Sequence, residues 1–550
     1  MDYLPQQSDI PYQPGGFSPL KQETFDEDED VEEVVRQRDP VAEEWVMNLP
    51  SPSLSESTCS TDSSRFEILN RILNQPKFHP GSPEMLMMGF DKETCGILSV
   101  KDGPTENPWR TLVWPLARES PALYHAISSM TAFHASKLKP SMKVAGMEHM
   151  RQSVHHLASG IRNMRTDTAL ATTLVLAFAE SWDVHVSTGI EHLRGAKILM
   201  KQAMNMHHQS MLSNEDTSRL KFLCNTWVYM DVIARLTSVD NDESNDFATA
   251  LWPSSGPFMS STEIDPLMGC ASTLFPLIGR VANLVRRVRN SSSNSMTMIS
   301  QANELKALIE DWEPPTFFEP PEDPTSDIQD SLQTAEAYRW ATLLYLHQAV
   351  PEIPSQPAAQ LAKKVLVYLA TVPLTSRAII VHIYPLLAAG CEAVSAEDRT
   401  WVEDRWIAMS QRMLIGNIDR CLEVVKEVWA RRNQFEAERI KERRRTVFRS
   451  QPGYPSLMPG MKRALSAEEE SAMTFFDRQD GFGSLKRAAT VGEDGMPEPV
   501  RVHRRNRSAD GVEEIELEKT VRGKLHWIGV MTDWKWEGEE FLSTSLRISG

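Results

Sequence analysis

"IDPLMGCASTLFPLIGRVANLVRRVR", residues 264–289, decides how the rest of the chain is read. Arg286, Arg287 and Arg289 end a long apolar run that has Cys270 inside it. A nucleic-acid contact, a cysteine site and a buried helix are the competing readings. Asp265 followed by Pro266 is a helix-start signature: a capping oxygen, then a ring of fixed φ with no donor to waste. Leu267, Cys270, Leu274, Leu277, Val281, Leu284 and Val288 then recur by threes and fours, one stripe of a helix. Cys270 lies in that stripe, so it reads as a packed thiol. Pro276 should kink the helix or split it. The arginines fall in the last turn before "NSSSNS", where the helix dipole favours cations. The stretch therefore predicts a core helix rather than a contact with DNA.

The same period runs through residues 66–445. Leu123, Ile127, Met130, Phe133 and Leu138 mark one helix. After Pro140, Met147, Met150, Val154, Leu157, Ile161 and Met164 step by three and four. Leu170, Leu174, Phe178 and Trp182 follow, then Leu220, Leu223, Trp227, Met230 and Ala234. Each set commits one helix face to a core. "RCLEVVKEVWARR" (420–432) reads as a helix with arginines at its C-terminal end. Strict alternation is scarce, and segments such as "VDNDESND" (239–246) and "WEPPTFFEPPEDP" (312–324) read as connections. The fold class is all-α, a multi-helix domain.

The flanks differ. Residues 1–65 are rich in Pro, Ser, Asp and Glu, and "DEDEDVEE" (26–33) is almost wholly acidic. Val41, Trp45 and Leu49 then share one helical stripe. A disordered acidic tail with a few large apolar residues suits folding on a partner, as transcriptional activation segments do; a merely solubilising tail is the plainer reading. Residues 446–520 mix Gly, Pro, Arg, Ser and Glu without period, a disordered basic, Ser-rich insert. There Arg463–Ser466, Arg487–Thr490 and Arg505–Ser508 have the spacing that basic-directed kinases prefer, making Ser466, Thr490 and Ser508 phosphorylation candidates. "KERRRTVFR" (441–449) and "RVHRRNR" (501–507) are nuclear-import candidates through Arg443, Arg444, Arg445, Arg504 and Arg505, or ordinary solvated charge. In residues 521–550, Leu525, Ile528, Met531 and Trp534 predict a last helix that packs back on the body.

Composition narrows the function. The net charge of −17 disfavours broad nonspecific DNA binding but allows a local basic patch. No apolar run approaches a membrane span, and the start "MDYLPQQSDIPYQPGG" is not a secretory signal. Cys59, Cys95, Cys224, Cys270, Cys391 and Cys421 form no Cys-x-x-Cys pair, so they read as reduced, mostly buried thiols and write no zinc site. Nucleophile elbows, phosphate loops, dinucleotide fingerprints and His-Glu-x-x-His are absent, so no enzyme is expected. His149, His155 and His156 share a helix without an i, i+4 metal pair, and His185 and His192 stand seven apart. The 26 methionines either fill the core or line an adaptable pocket.

Nine stretches carry a resemblance. They are "ESPALYHAISSMTAFHA" (119–135), "TLVLAFAESWDV" (173–184), "GIEHLRGAKILMKQ" (189–202), "YMDVIARLTS" (229–238), "DPLMGCASTLFPLIGRVANL" (265–284), "AYRWATLLYLHQAV" (337–350), "IYPLLAAGCEAV" (383–394), "DRTWVEDRWIAMSQR" (398–412) and "NIDRCLEVVKEVWARR" (417–432). In content and order they resemble the regulatory domain of fungal zinc-cluster (Zn2Cys6) transcription factors, in the branch that includes sterol-uptake, arginine-catabolism and sexual-development regulators. The closing "HWIGVMTDWKWE" resembles the end of such proteins, and residues 79–126 look most like regulators of fruiting-body development.

The resemblance implies a nuclear regulator of RNA polymerase II genes, bearing on development or on secondary or nitrogen metabolism. Its helical body would serve as effector and dimerisation domain. The implied partners are the transcription machinery, a second copy in a homodimer, and a small-molecule effector, with no membrane. Members of the family bind DNA through an N-terminal six-cysteine module holding two zinc ions, which this chain does not carry. DNA contact is therefore expected only through such a module on a lost first exon or through a partner, and zinc only with that module. The competing expectation is a helical scaffold or co-regulator that acts through protein contacts.

Overall fold

Several helices begin where the sequence writes a cap. Ser82, Ser120, Ser295 and Ser395 each accept a hydrogen bond from the backbone N–H three residues on, and Asp327 accepts from Gln329 and Asp330. Pro83 and Pro121 follow two of those serines at the first helical turn. The computed structural model describes residues 79–182, 189–209, 213–237, 263–449, 517–534 and 536. The segments 1–65 and 450–516, with Val41, Trp45, Leu49, Ser466, Thr490, Ser508, Arg504 and Arg505, lie outside them.

The helices are α1 (Pro83–Gly89), α2 (Pro121–Ser136), α3 (Met142–Gly160), α4 (Thr166–Trp182), α5 (Ile190–Gln209), α6 (Asn214–Thr237) and α7 (Phe275–Arg289). They continue with α8 (Met296–Glu310), α9 (Ile328–Ala349), α10 (Ala358–Thr371), α11 (Ile383–Gly390), α12 (Ala396–Met413), α13 (Gly416–Arg449) and α14 (Trp527–Asp533). No strand occurs among the described residues, which bears out the all-α reading. The chain divides into two compact units, Met1–Val428 with Lys519–Gly550, and Trp429–Glu518.

Within the first unit α4 is buried almost throughout and packs against α2, α5 and α6. Trp109 sits edge-on to Phe178 and Phe222 at the heart of that group. A second group surrounds α9, which packs on α7, α8, α10 and α11. Helix α7 touches both α6 and α9, so the stretch that opened the sequence reading joins the two groups.

That stretch differs from its prediction in two respects. The helix begins at Phe275, not at Asp265. Asp265 caps a tight turn instead: its Oδ1 accepts from the N–H groups of Leu267 and Met268, and its backbone pairs with Gly269. Pro276 stands in the first helical turn, where its missing N–H costs nothing, so there is no kink. The stripe survives: Leu267, Cys270, Leu274, Val281, Leu284 and Val288 are buried, while Leu277 is only half-buried.

Three other expectations need correction. The regular stripe of α3 faces outward: Met147 is 49% exposed, Val154 44% and Ile161 41%. The inner face is made of small residues. Gly146 lies against the Phe133 ring, where a Cβ would come within 2.8 Å, and its carbonyl accepts from Ser129 Oγ. Ser153 Oγ donates to the Ala122 carbonyl. Close approach of backbones fixed the orientation, against the apolar period. Likewise α2 ends at Ser136, leaving Leu138 exposed beyond it. In α13 the helix runs on to Arg449, so Arg431 and Arg432 are mid-helix and gain nothing from its C-terminal dipole.

The terminal segment docks on the second group, around α9, and on the C-terminal end of α7 through buried polar bonds. Ile528 N–H donates to His526 Nδ1 (3.1 Å), which leaves the ring proton on Nε2 to donate to Gln348 Oε1 (3.0 Å). Gln348 in turn donates to Glu392 Oε1 (2.7 Å). Arg522 Nε donates to the carbonyls of Val288 and Ser291, each at 2.9 Å, closing the C-terminal end of α7. Trp527, Ile528 and Val530 are buried, and Gly529 packs so tightly on the Gly523–Lys524 loop that a Cβ would lie 2.3 Å from the Gly523 carbonyl. The substitution Gly529→Ala should therefore force apart the terminal segment's own turn and destabilise the fold by about 1–3 kcal/mol. Urea unfolding checks this, and an unchanged midpoint would contradict that packing.

Candidate functional site

A cavity of about 290 Å³ lies where α4, α6, α9, α11 and the start of α13 meet the terminal segment. All its walls belong to the first unit. Phe178 and Trp182 come from α4, Tyr229, Met230, Ile233 and Ala234 from α6, Tyr338 from α9, and Tyr384 and Leu387 from α11. Trp527, Met531 and Trp536 of the terminal segment complete it, and Arg420 holds its guanidinium 5.2 Å from the Trp536 ring.

The floor near α12 and α13 is held by a strained joint. Leu414, between the two helices, has φ 53°, a left-handed conformation that a branched residue rarely takes. His134 fixes it: Nε2 donates to the Met413 carbonyl (3.0 Å), so Nδ1 accepts from Thr94 Oγ1 (3.2 Å). Burial keeps His134 below its ordinary pKa, hence neutral and in that tautomer. Met413 and Ile415, either side of Leu414, both line the cavity.

The lining is apolar with few polar groups. Tyr338 donates to the Val381 carbonyl (2.6 Å) and hydrogen-bonds with Tyr229, whose hydroxyl burial pushes up to about 12. Those hydroxyls satisfy one another. Asn417 Oδ1 and Trp527 Nε1 do not: both are buried without a hydrogen-bond partner, and both residues line the cavity. An unpaired acceptor and an unpaired donor at one cavity are expensive in a folded protein unless something meets them. No carboxylate and no histidine lines the space, and burial raises the Cys421 thiol to about 12. General acid–base and thiolate chemistry thus lack their groups here, and the arrangement suits binding.

The residues singled out in the sequence are placed as follows. Arg443, Arg444 and Arg445 are exposed on α13, with Arg445 3.7 Å from Glu442. Arg286, Arg287 and Arg289 end α7: Arg287 bonds Gln301, and Arg289 donates to the Thr237 carbonyl and to Thr532 Oγ1, each at 3.3 Å. Cys95, Cys224, Cys270, Cys391 and Cys421 are free, buried thiols, and Cys59 lies outside the described residues. Met230, Met413 and Met531 reach the cavity, while Met130, Met200 and Met409 fill the core.

The histidines gain a member that sequence spacing on one helix could not supply. His125 of α2 stands against α3, with Nδ1 2.8 Å from His149 Nδ1, and stacks on His156 at 5.6 Å. Among the described residues no group of three or more ligating side chains is disposed to hold a metal. His192 faces Glu180 at 3.5 Å, and His185 lies outside the described residues. Burial first, then the neighbouring imidazoles, lowers the His125 pKa; burial lowers His149, His134, His192 and His382. These groups are neutral in the fold yet protonate near 6.5 when unfolded, so the unfolded state takes up more protons there. Stability should fall as pH drops below about 6.5, before the carboxylates titrate. Thermal unfolding at pH about 7.5 and about 5.5 measures it, and His149→Gln should flatten the slope.

The family model described as the fungal specific transcription factor domain matches residues 85–450. No curated protein and no solved structure gives a significant match.

Proposed function

The chain belongs to the fungal-specific transcription factor domain family and is a fungal transcription regulator, and from that premise we propose that its helical body senses a small molecule. The observation that carries this is the apolar cavity with Asn417 Oδ1 and Trp527 Nε1 unpaired at its wall. A ligand with an apolar body and one polar end, neutral or anionic toward Arg420, matches that lining. Because Trp527, Met531 and Trp536 form part of the wall, a bound ligand would favour the docked terminal segment over the free one.

The family also implies action in the nucleus on RNA polymerase II genes, and the sequence resemblance favours genes of sexual development or of secondary or nitrogen metabolism. In this reading Arg443, Arg444 and Arg445, with Arg504 and Arg505, direct import, and phosphorylation of Ser466, Thr490 and Ser508 tunes it. Val41, Trp45 and Leu49 engage the transcription machinery, and the body pairs as a homodimer. The family implies that the chain is not an enzyme.

The zinc cluster of such regulators does not fit the cysteines at hand. The five described ones are buried thiols without a Cys-x-x-Cys pair, and burial pushes Cys224, Cys270 and Cys421 to about 12, against the thiolate that zinc requires. DNA contact is therefore assigned to a separate module or to a partner. That same observation favours a second reading, a co-regulator acting only through protein contacts.

Tethering the chain to a foreign DNA-binding domain separates these ideas from a plain scaffold. A regulator should change reporter output by roughly tenfold or more. Ala234→Phe, which fills the cavity, should abolish any metabolite response while leaving thermal stability near wild type. A silent tethered chain would point to the scaffold, and an intact response in Ala234→Phe would remove the cavity from the mechanism.

A further inference from the structure

The outward face of α3 carries an apolar stripe that the described residues cover only in part, with Met150 and Leu157 half-buried and Met147, Val154 and Ile161 exposed. Met147, Met150, Val154 and Leu157 run along it at three- and four-residue steps, and Ile161 continues it into the next turn. Val144, beside them, is 67% exposed. A soluble helix normally turns such a stripe inward, and an exposed one marks an interaction surface. Methionines in it make the surface adaptable.

Charge says what fits. In a chain of net charge −17, residues 137–165 carry Lys137, Lys139, Lys143, Arg151, Arg162 and Arg165 against Glu148 alone. Lys137, Arg151 and Arg165 already pair with Asp419, Glu148 and Asp167. Lys139 and Arg162, near the two ends of the stripe, are exposed and form no ion pair among the described residues. A second copy laid on this face would bring those cations against their like, with little to offset them. An acidic amphipathic segment meets both the charge and the stripe.

The chain supplies one. Asp26–Glu33 is almost wholly acidic, and Val41, Trp45 and Leu49 follow at i, i+4 and i+8. The chain enters the body beside this very helix: Leu86 of α1 packs on Met142 at the start of α3, and Pro80 and Lys139 line one shallow cleft. The residues between Leu49 and His79 could span about 100 Å extended, against about 30 Å for α3. Tethering at that range gives an effective concentration on the order of millimolar, enough for a modest contact to hold.

We propose that the exposed face of α3 is the docking site for this chain's own acidic segment, residues 26–49. Val41, Trp45 and Leu49 lie along the methionine stripe and the acidic run lies over Lys139, at the end of α3 where the chain enters the body. Docked, the segment is withheld from any other partner, so the body masks its own acidic tail. The inference stands apart from the cavity, and neither depends on the other.

The full-length chain tests it. A photoreactive benzoylphenylalanine replaces Trp45, the protein is irradiated at low micromolar concentration, and crosslinked peptides are mapped by mass spectrometry. The expected product is a monomeric chain joined to the peptide spanning residues 142–165. Its yield should fall at least roughly fivefold between about 0.05 and 0.5 M salt, as screening removes the charge attraction. Val154→Asp, at an exposed position, should lower the yield similarly while leaving thermal unfolding unchanged. Crosslinks elsewhere, crosslinks to α3 found only in covalent dimers, or a yield indifferent to Val154→Asp would each overturn the proposal.

Discussion

Everything at the centre of this molecule leans on the docking of one short terminal segment. Helix α7 leaves its last carbonyls without intrahelical partners, as every helix does. Arg522 meets those of Val288 and Ser291 from a position more than two hundred residues later in the chain. At the same time His526 completes a buried chain of donors and acceptors that ends on the Glu392 carboxylate. Glu392 is 8% exposed, and a carboxylate so placed needs its hydrogen bonds. Take the segment away and the C-terminal end of α7, the Gln348 side chain and Glu392 all lose partners together. Because α7 touches both helical groups, the cost would spread to each.

The same segment decides whether the cavity exists. Trp527, Met531 and Trp536 are wall on one side, and the helices of the body are wall on the other. In the proposed reading, a ligand held between them would bind the docked state and not the undocked one, so its binding energy would add to the docking energy. By reciprocity, whatever weakens docking weakens the ligand by the same factor. In the proposed reading the cavity and the segment's docking contact are the two elements that a switch requires. The unpaired Asn417 and Trp527 atoms sit on opposite sides of that divide, one on the body and one on the segment.

Much of the fold was legible because burial leaves a period. Leu170, Leu174, Phe178 and Trp182 predicted α4, and all are buried. The stripe of α7 predicted a core helix, and so it is. The period does not say which neighbour covers a face, and there the reading failed. On α3, Gly146 and Ser153 let the backbone approach α2 closely, and the larger side chains were left outside. Asp265 also misled, because an Asp–Pro pair suits a tight turn as well as a helix start. The cavity was not legible at all. Its walls come from helices spread over most of the chain, and no local pattern marks Asn417 or Ala234 as neighbours of Trp527. Only the stripe of Leu525, Ile528, Met531 and Trp534 indicated that the closing stretch packs back on the body.

The arginines that first suggested DNA now support a different rule. Arg219 donates to the Leu112 carbonyl, Arg339 to Ile309, Arg399 to Ala393 and Arg405 to Val372, each within 3.0 Å. Arg289 and Arg522 do the same at the ends of α6 and α7. A guanidinium offers several donors on a long stem, so it can reach from one element to the exposed carbonyls that end another. Every helix in an all-α body ends in such carbonyls, and each needs donors that the next turn cannot give. Arginine clusters near helix ends are then what this architecture demands of its interior joints. Counting them as a nucleic-acid surface mistakes internal bonds for external ones, and the acidic net charge of the chain agrees with the internal reading.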